Sequence, residues 1–357
     1  MNGYTWNKMK NNLSESLDAL LESQYSADAP GAAVLVAAQG EILYERGIGM
    51  ADLSTGEPIM PHTNFRMASV SKQFTAYCVQ LLVQRGLVSY DAAIHNIFSG
   101  FKPAAGQITL RHLLTHSSGL LDYEEFVEES RETQVTDEEV LAITASQSNT
   151  YFRPGTQYRY SNTGYVLLAL VVERVTGQLY DDFLKENVFE PLGMQSSTLY
   201  TSGGPIAHRA MGYARDGQGG FMYSDQGTCT ATRGDGCIYT SLQDYQKWHK
   251  ALTQMQGITT ALEQVAYPLQ GYANGYYGMG WFCSERTSGG LELYHTGNTS
   301  GFSHLVIGIP EQEVLIAYFS NIADNPHLLT GFLDGLKRYP ALCPESWLVR
   351  DLLHLTR

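Results

Sequence analysis

The stretch Phe65-Arg-Met-Ala-Ser-Val-Ser-Lys-Gln-Phe-Thr-Ala76 contains a Ser-x-x-Lys, with Ser69 one helical turn before Lys72. Residues i and i+3 share a helix face, so a hydroxyl and an amine at this spacing can touch without help from distant parts of the chain. The residues after Lys72 read as a helix. Phe74, Tyr77, Cys78, Leu81 and Leu82 recur at i, i+3, i+4, i+7 and i+8, and Gly86 supplies a stop. The pattern predicts Ser69 at the helix's N-terminal end, where unpaired N–H groups welcome a developing oxyanion. It also sends Lys72 into a buried face, where desolvation lowers a lysine's pKa. A Ser-x-x-Lys alone is more often an N-cap followed by a solvated lysine, so the catalytic reading needs partners elsewhere.

Two further motifs supply them. Tyr160-Ser-Asn162 follows the turn Pro154-Gly155 and precedes an apolar helix pattern of Tyr165, Leu168, Leu170, Val171 and Val172. This places Tyr160 and Asn162 on a loop before a helix, free to face a cleft. A phenol can serve as general base if a cation such as Lys72 holds its pKa down, and an asparagine can hold both Lys72 and a substrate amide. Tyr272-Ala-Asn274 has the same spacing, but no helix comes after it. His295-Thr-Gly297 lies between two alternating strand patterns. A glycine there permits close approach of a ligand backbone, and the N–H of Asn298 is placed as a second oxyanion donor.

In this order, Ser-x-x-Lys, Tyr-x-Asn and Lys/His-Thr-Gly resemble the motif triplet of the serine β-lactamase and penicillin-binding protein superfamily. The Tyr-x-Asn makes the chain similar to the branch that includes class C β-lactamases, DD-peptidases, D-aminopeptidases and family VIII carboxylesterases. Pro30-Gly31, Leu113-Leu-Thr-His-Ser-Ser-Gly-Leu120, Gly234-Asp-Gly-Cys-Ile-Tyr-Thr-Ser241 and Tyr277-Gly-Met-Gly-Trp281 also resemble landmarks of that family. His295 stands where true class C β-lactamases carry a lysine, which argues against β-lactam hydrolysis. The resemblance implies an α+β fold: an antiparallel sheet flanked by helices with an inserted helical lobe. One lobe is expected from residues 1–68 and 200–357, the other from 69–199, with the site between them.

The remaining patterns agree. Trp6, Met9, Leu13, Leu17, Leu20 and Leu21 mark an amphipathic helix, and Gln39-Gly40 joins two strand patterns as a tight hairpin. Residues 302–309 and 314–319 flank Pro310-Glu-Gln312, and residues 326–339 read as a closing helix. The chain has 357 residues, 43% hydrophobic and 17% charged, enough for two lobes around one cleft. A net charge of −13 argues against nucleic acid or an anionic membrane as partner. No apolar run suits a membrane span or a secretory signal, which points to the cytoplasm unless an export segment has been trimmed. The five cysteines are odd in number and lack zinc-ligand spacing. His112 and His116 share a helix face without a third ligand, and the acidic residues Asp122, Glu124, Glu125, Glu128, Glu129 and Glu132 read first as a solvated face.

The function expected is a serine hydrolase working through an acyl-enzyme on a small ester, amide or peptide. A carboxylesterase or peptidase leads, with a D-amino acid or DD-peptidase or a weak β-lactamase as alternatives. A non-catalytic ligand-binding or scaffold homologue is the alternative of another class. Ser69 is the nucleophile, Lys72 and Tyr160 share the base duty, and Ser69 and Asn298 donate N–H groups to the oxyanion. Asn162 and Gly297 line the substrate site, where His295 either orients Tyr160 or hydrogen-bonds the substrate. No metal or organic cofactor is called for.

Overall fold

Ala32–Ala38 is buried at every residue, as a run of small and branched apolar side chains is when both faces of its sheet are covered. This is strand β1. Gln39 and Gly40 take φ of +53° and +79°, the two left-handed residues a tight hairpin loop demands, and the chain returns as β2, Glu41–Ile48. The computed structural model describes residues 3–101, 107–254, 257–323, 325–346 and 348–355. In it, the other neighbour of β1 comes from the far end of the chain.

Six later strands complete the sheet: β3 Tyr267–Pro268, β4 Gly275–Gly278, β5 Trp281–Glu285, β6 Leu291–Thr299, β7 Phe302–Ile309 and β8 Val314–Ser320. Their order is β3-β4-β5-β6-β7-β8-β1-β2, antiparallel throughout. Register runs from Ala32↔Ser320 to Ala37↔Leu315, so β1 joins the six later strands through β8, with β2 as the edge strand beyond it.

Five helices matter for the site: α1 Gly3–Gln24, α2 Lys72–Gln84, α3 Asn162–Thr176, α4 Leu242–Gln254 and α5 Pro326–Leu336. Alternate residues of β8 point to opposite faces of the sheet. Tyr318 packs on Phe332 of α5 with ring centroids 5.3 Å apart and hydrogen-bonds Tyr25, just beyond α1. Phe319 meets Tyr245 of α4 at 5.6 Å on the other face. Leu13, Leu17 and Leu21 of α1 are buried at i, i+4, i+8, as its amphipathic pattern predicts.

On the second face, α4 carries α2. Phe74 stacks on Trp248 at 4.4 Å, and the buried Gln73 Oε1 accepts from Tyr245 Oη at 2.8 Å and Trp248 Nε1 at 3.3 Å. Helix α3 is buried without a break from Thr163 to Val172, so it is a core helix rather than an amphipathic one. Gly234 presses against it, because a Cβ there would lie 2.0 Å from the Tyr165 carbonyl oxygen. The result is the α+β arrangement read from the sequence. A helix at Leu348–Leu355 was not anticipated. Among the described residues, no helix is long and apolar enough to cross a membrane.

Candidate active site

The turn that carries Ser69 begins as a short strand. Phe65 and Arg66 pair with Thr240 and Tyr239, and the Met67 N–H donates to the Ile238 carbonyl at 2.8 Å. Ala68 then takes φ +48°, a left-handed conformation that costs a residue with a Cβ roughly 1–2 kcal/mol. Ala68–Ser71 forms a 3₁₀ turn, and regular helix starts only at Lys72. Ser69 therefore sits inside a tighter turn, not at the head of an α-helix as the spacing suggested. The tighter turn serves the pair well, since side chains at i and i+3 eclipse in a 3₁₀ helix. Its first N–H groups, that of Ser69 among them, have no partner within the turn.

Lys72 is completely buried, yet its amine has three partners. Nζ lies 2.9 Å from Ser69 Oγ, 2.8 Å from Asn162 Oδ1 and 3.0 Å from the Asp235 carbonyl oxygen. With the amide oxygen and the carbonyl taking its two N–H groups, the lone pair of a neutral amine faces the serine hydroxyl. Burial pushes the Lys72 pKa down from the ordinary lysine range, while the charges of Asp235, Glu124 and Asp122 oppose that shift. Burial also raises the carboxyl of Asp235, with Lys72 working against it.

Tyr160 is the next element. Ser161 caps α3 by accepting from the Gly164 N–H at 3.3 Å, which makes Asn162 the first helical residue and holds Tyr160 one step outside. Lys72 Nζ stands 4.9 Å from the centre of the Tyr160 ring. The Tyr160 hydroxyl is buried without a hydrogen-bond partner of good geometry among the described residues. Burial pushes this phenol well above its ordinary value; Ser69 is close enough to oppose that, whereas Tyr165, Asp235 and Glu124 reinforce it. The expectation that a cation holds the phenol down is therefore corrected, because burial outweighs every favourable neighbour. Asn162 Nδ2 donates to Glu124 Oε1 at 3.0 Å, which brings one carboxylate of the acidic segment to the site. Asp122 and Glu125 lie near Arg159, at 3.6 and 3.5 Å, and Glu128, Glu129 and Glu132 are exposed.

On β6 the outcome differs from expectation. His295 is fully buried, with its ring 6.2 Å from that of Tyr160. Its Nδ1 donates to the Thr296 carbonyl at 2.6 Å, which leaves Nε2 to accept from Tyr277 Oη at 3.2 Å. Both nitrogens are thus spent inside the protein, and His295 neither orients Tyr160 by a hydrogen bond nor presents one to a substrate. Burial lowers its pKa to about 3, so it is neutral. Gly297 makes room for the protein's own chain rather than for a ligand, since a Cβ there would lie 2.4 Å from the Met67 carbonyl oxygen. Asn298 is exposed near the end of β6, opposite Ser303.

Several neighbours of Lys72, Asn162 and Tyr160 escaped the sequence reading. The carbonyl of Asp235 carries no side-chain signature, although Gly234 and Gly236 around it hint at close packing. Glu124 was hidden within its acidic run. His116 lies behind Tyr160, 1% exposed, with ring centroids 4.2 Å apart. His112 caps its own short helix by accepting from the Thr109 N–H at 3.2 Å, so the two histidines serve different partners. Tyr272 donates to Asp351 at 3.1 Å on the C-terminal helix, away from this group.

The beta-lactamase family model matches residues 17–331. Penicillin-binding protein 4* of Bacillus subtilis (strain 168) is 32% identical over 330 residues, covering 88% of this chain and 73% of the relative. A D-aminopeptidase of Cereibacter sphaeroides (strain ATCC 17029 / ATH 2.4.9) is 30% identical over 331 residues; they cover 89% of this chain but only 62% of that longer protein. The structure of D-amino acid amidase from Ochrobactrum anthropi SV3 complexed with L-phenylalanine superposes with a TM-score of 0.75 at 24% identity, over 92% of this chain and 99% of the other. The chain belongs to the beta-lactamase family, within the serine hydrolases of the β-lactamase and penicillin-binding protein superfamily.

Proposed function

We propose that Ser69 is the nucleophile of an acyl-enzyme hydrolase and that Lys72 is its general base. The observation that carries this is the 2.9 Å contact between Ser69 Oγ and the amine of a fully buried lysine. The Ser69 proton passes to Lys72 as Oγ attacks the carbonyl, and the N–H groups of Ser69 and Asn298 hold the oxyanion. The leaving amine or alcohol takes that proton back, with the neutral phenol of Tyr160 as relay. Water then enters by the same route to release the acid. Asn162 fixes both Lys72 and the substrate. In this reading residues 1–68 and 200–357 form one wall of the cleft and residues 69–199 the other.

The substrates are small esters, amides or peptides. Glu124 favours those with a cationic group near the scissile carbonyl, such as a free α-amine, because its carboxylate is exposed beside Asn162. Relatives named D-aminopeptidase and D-amino acid amidase fit that chemistry. A neutral, enclosed His295 offers no cation to a β-lactam carboxylate, so kcat/KM for p-nitrophenyl butyrate should exceed that for a penicillin. The test is intact mass after a fluorophosphonate: one adduct, absent from Ser69→Ala. An unlabelled wild type that binds peptides without turnover would instead make the chain a non-catalytic homologue.

A further inference from the structure

His116 touches no reacting atom in this scheme, yet the Tyr160 loop is built on it. The Arg159 N–H, on one side of Tyr160, donates to the His116 carbonyl at 2.9 Å. The Ser161 N–H, on the other side, donates to His116 Nδ1 at 3.1 Å. The imidazole lies between these bonds against the Tyr160 ring at 4.2 Å, and Tyr277 closes its surroundings at 4.4 Å. His116 takes φ +54°, an uncommon conformation for a residue with a Cβ. The segment just beyond it is pinned on the same side: Gly155 N–H donates to the Ser117 carbonyl at 2.8 Å and Tyr151 N–H to that of Gly119 at 2.7 Å. Gly119 itself must lack a side chain, since a Cβ would lie 2.3 Å from the Phe152 carbonyl oxygen.

We propose that His116 is the positioning residue for Tyr160, gripping the peptide on both sides of the phenol through its carbonyl and its Nδ1. The inference rests on the reading of Tyr160 as a participant in the reaction. Because Nδ1 accepts an N–H, the ring proton must be on Nε2, and a second proton would abolish the bond to Ser161. Burial opposes that second proton, as does Lys72 in its charged form. The imidazole is therefore a fixed, neutral acceptor. An error of about 1 Å in a reacting group costs on the order of 10²-fold in rate, which sets the size of effect to look for.

The experiment compares kcat and KM for p-nitrophenyl butyrate in His116→Phe, His116→Asn, Tyr160→Phe and the double variant His116→Phe/Tyr160→Phe. His116→Phe keeps a ring but loses the acceptor, and should lower kcat about 10²-fold with little change in KM. His116→Asn should recover to within about tenfold of wild type, because its amide oxygen can accept from Ser161 and asparagine tolerates left-handed φ. In the Tyr160→Phe background, His116→Phe should cost less than about threefold, the non-additivity of two residues acting as one unit. Equal losses in both backgrounds, or a wild-type kcat in His116→Phe, would overturn the proposal. If His116→Phe does not fold, ¹⁵N-histidine NMR of the wild type decides. An unprotonated Nδ1 with Nε2–H supports the grip, and an Nδ1–H tautomer refutes it. A wild-type rate in Tyr160→Phe would sink the reading of Tyr160 itself, while the tautomer still tests whether His116 holds the loop.

Discussion

Lys72 and His295 are both fully buried nitrogen bases near the Tyr160 ring, and both are pushed toward neutrality by the same cause, desolvation. They differ in what remains of their hydrogen-bonding capacity. Two partners of Lys72 are pure acceptors, an amide oxygen and a backbone carbonyl; the third is a hydroxyl able to give up a proton. His295 has one acceptor and one donor, the Thr296 carbonyl and the Tyr277 hydroxyl, and nothing left over. Burial prepares a base, but the residual lone pair decides whether it has chemistry to do.

That contrast can be broken first by truncation. Lys72→Ala should cost on the order of 10³-fold or more in kcat while the protein stays folded. His295→Ala should do the reverse. Activity per folded molecule should fall by less than about tenfold, but stability should drop by about 2–4 kcal/mol from the cavity and the orphaned Tyr277 hydroxyl. Thermal or urea melts measured beside kcat decide this, and a stable, inactive His295→Ala would refute the division of roles.

The pH profile sharpens the comparison. A neutral Lys72 is the active form, so kcat/KM for a neutral ester should rise with pH through a midpoint below the ordinary lysine value of about 10.4. It should fall away as the amine protonates on the acid side. His295, with its pKa lowered to about 3, should add no limb between the two, and His295→Phe should leave the rising limb where it was. A limb near the ordinary histidine value of about 6.5 that vanishes in His295→Phe would show that the ring titrates after all. The smallest effect is expected outside the pair. Glu124→Gln should lower kcat/KM for a D-alanine p-nitroanilide by roughly three- to fivefold, as loss of an exposed charge contact does, and leave p-nitrophenyl butyrate within about 1.5-fold. Equal losses for the two substrates would remove Glu124 from recognition.

How much the sequence reveals depends on distance along the chain. Ser69 and Lys72 could be paired because three residues of helical backbone fix their relation, whichever helix type forms. Tyr160 could be preferred over Tyr272 because a helix pattern begins two residues later, and the cap at Ser161 realises it. The buried strand β1 and its Gln39-Gly40 turn were plain for the same local reason. His295 was misread because alternation along a strand reports one solvated face, and all of Glu292 through Gly297 is enclosed. His116 could not be assigned from spacing. Its partner Ser161 lies 45 residues away, and its positive φ is imposed by neighbours that only the folded chain supplies.

The register of β1 against β8 has a consequence for how this molecule comes into being. Ala32 finds Ser320 only after all the residues between them have been made, and β6, whose Gly297 backs the Ser69 turn, is also a late arrival. During synthesis the hairpin β1–β2 must wait with an unpaired apolar edge, while the Ser69 turn has no wall behind it. Contacts of such long sequence separation are slow to close and leave intermediates prone to aggregation. The wall behind Ser69 and Lys72 is therefore completed late in folding, when the last strands of the sheet arrive.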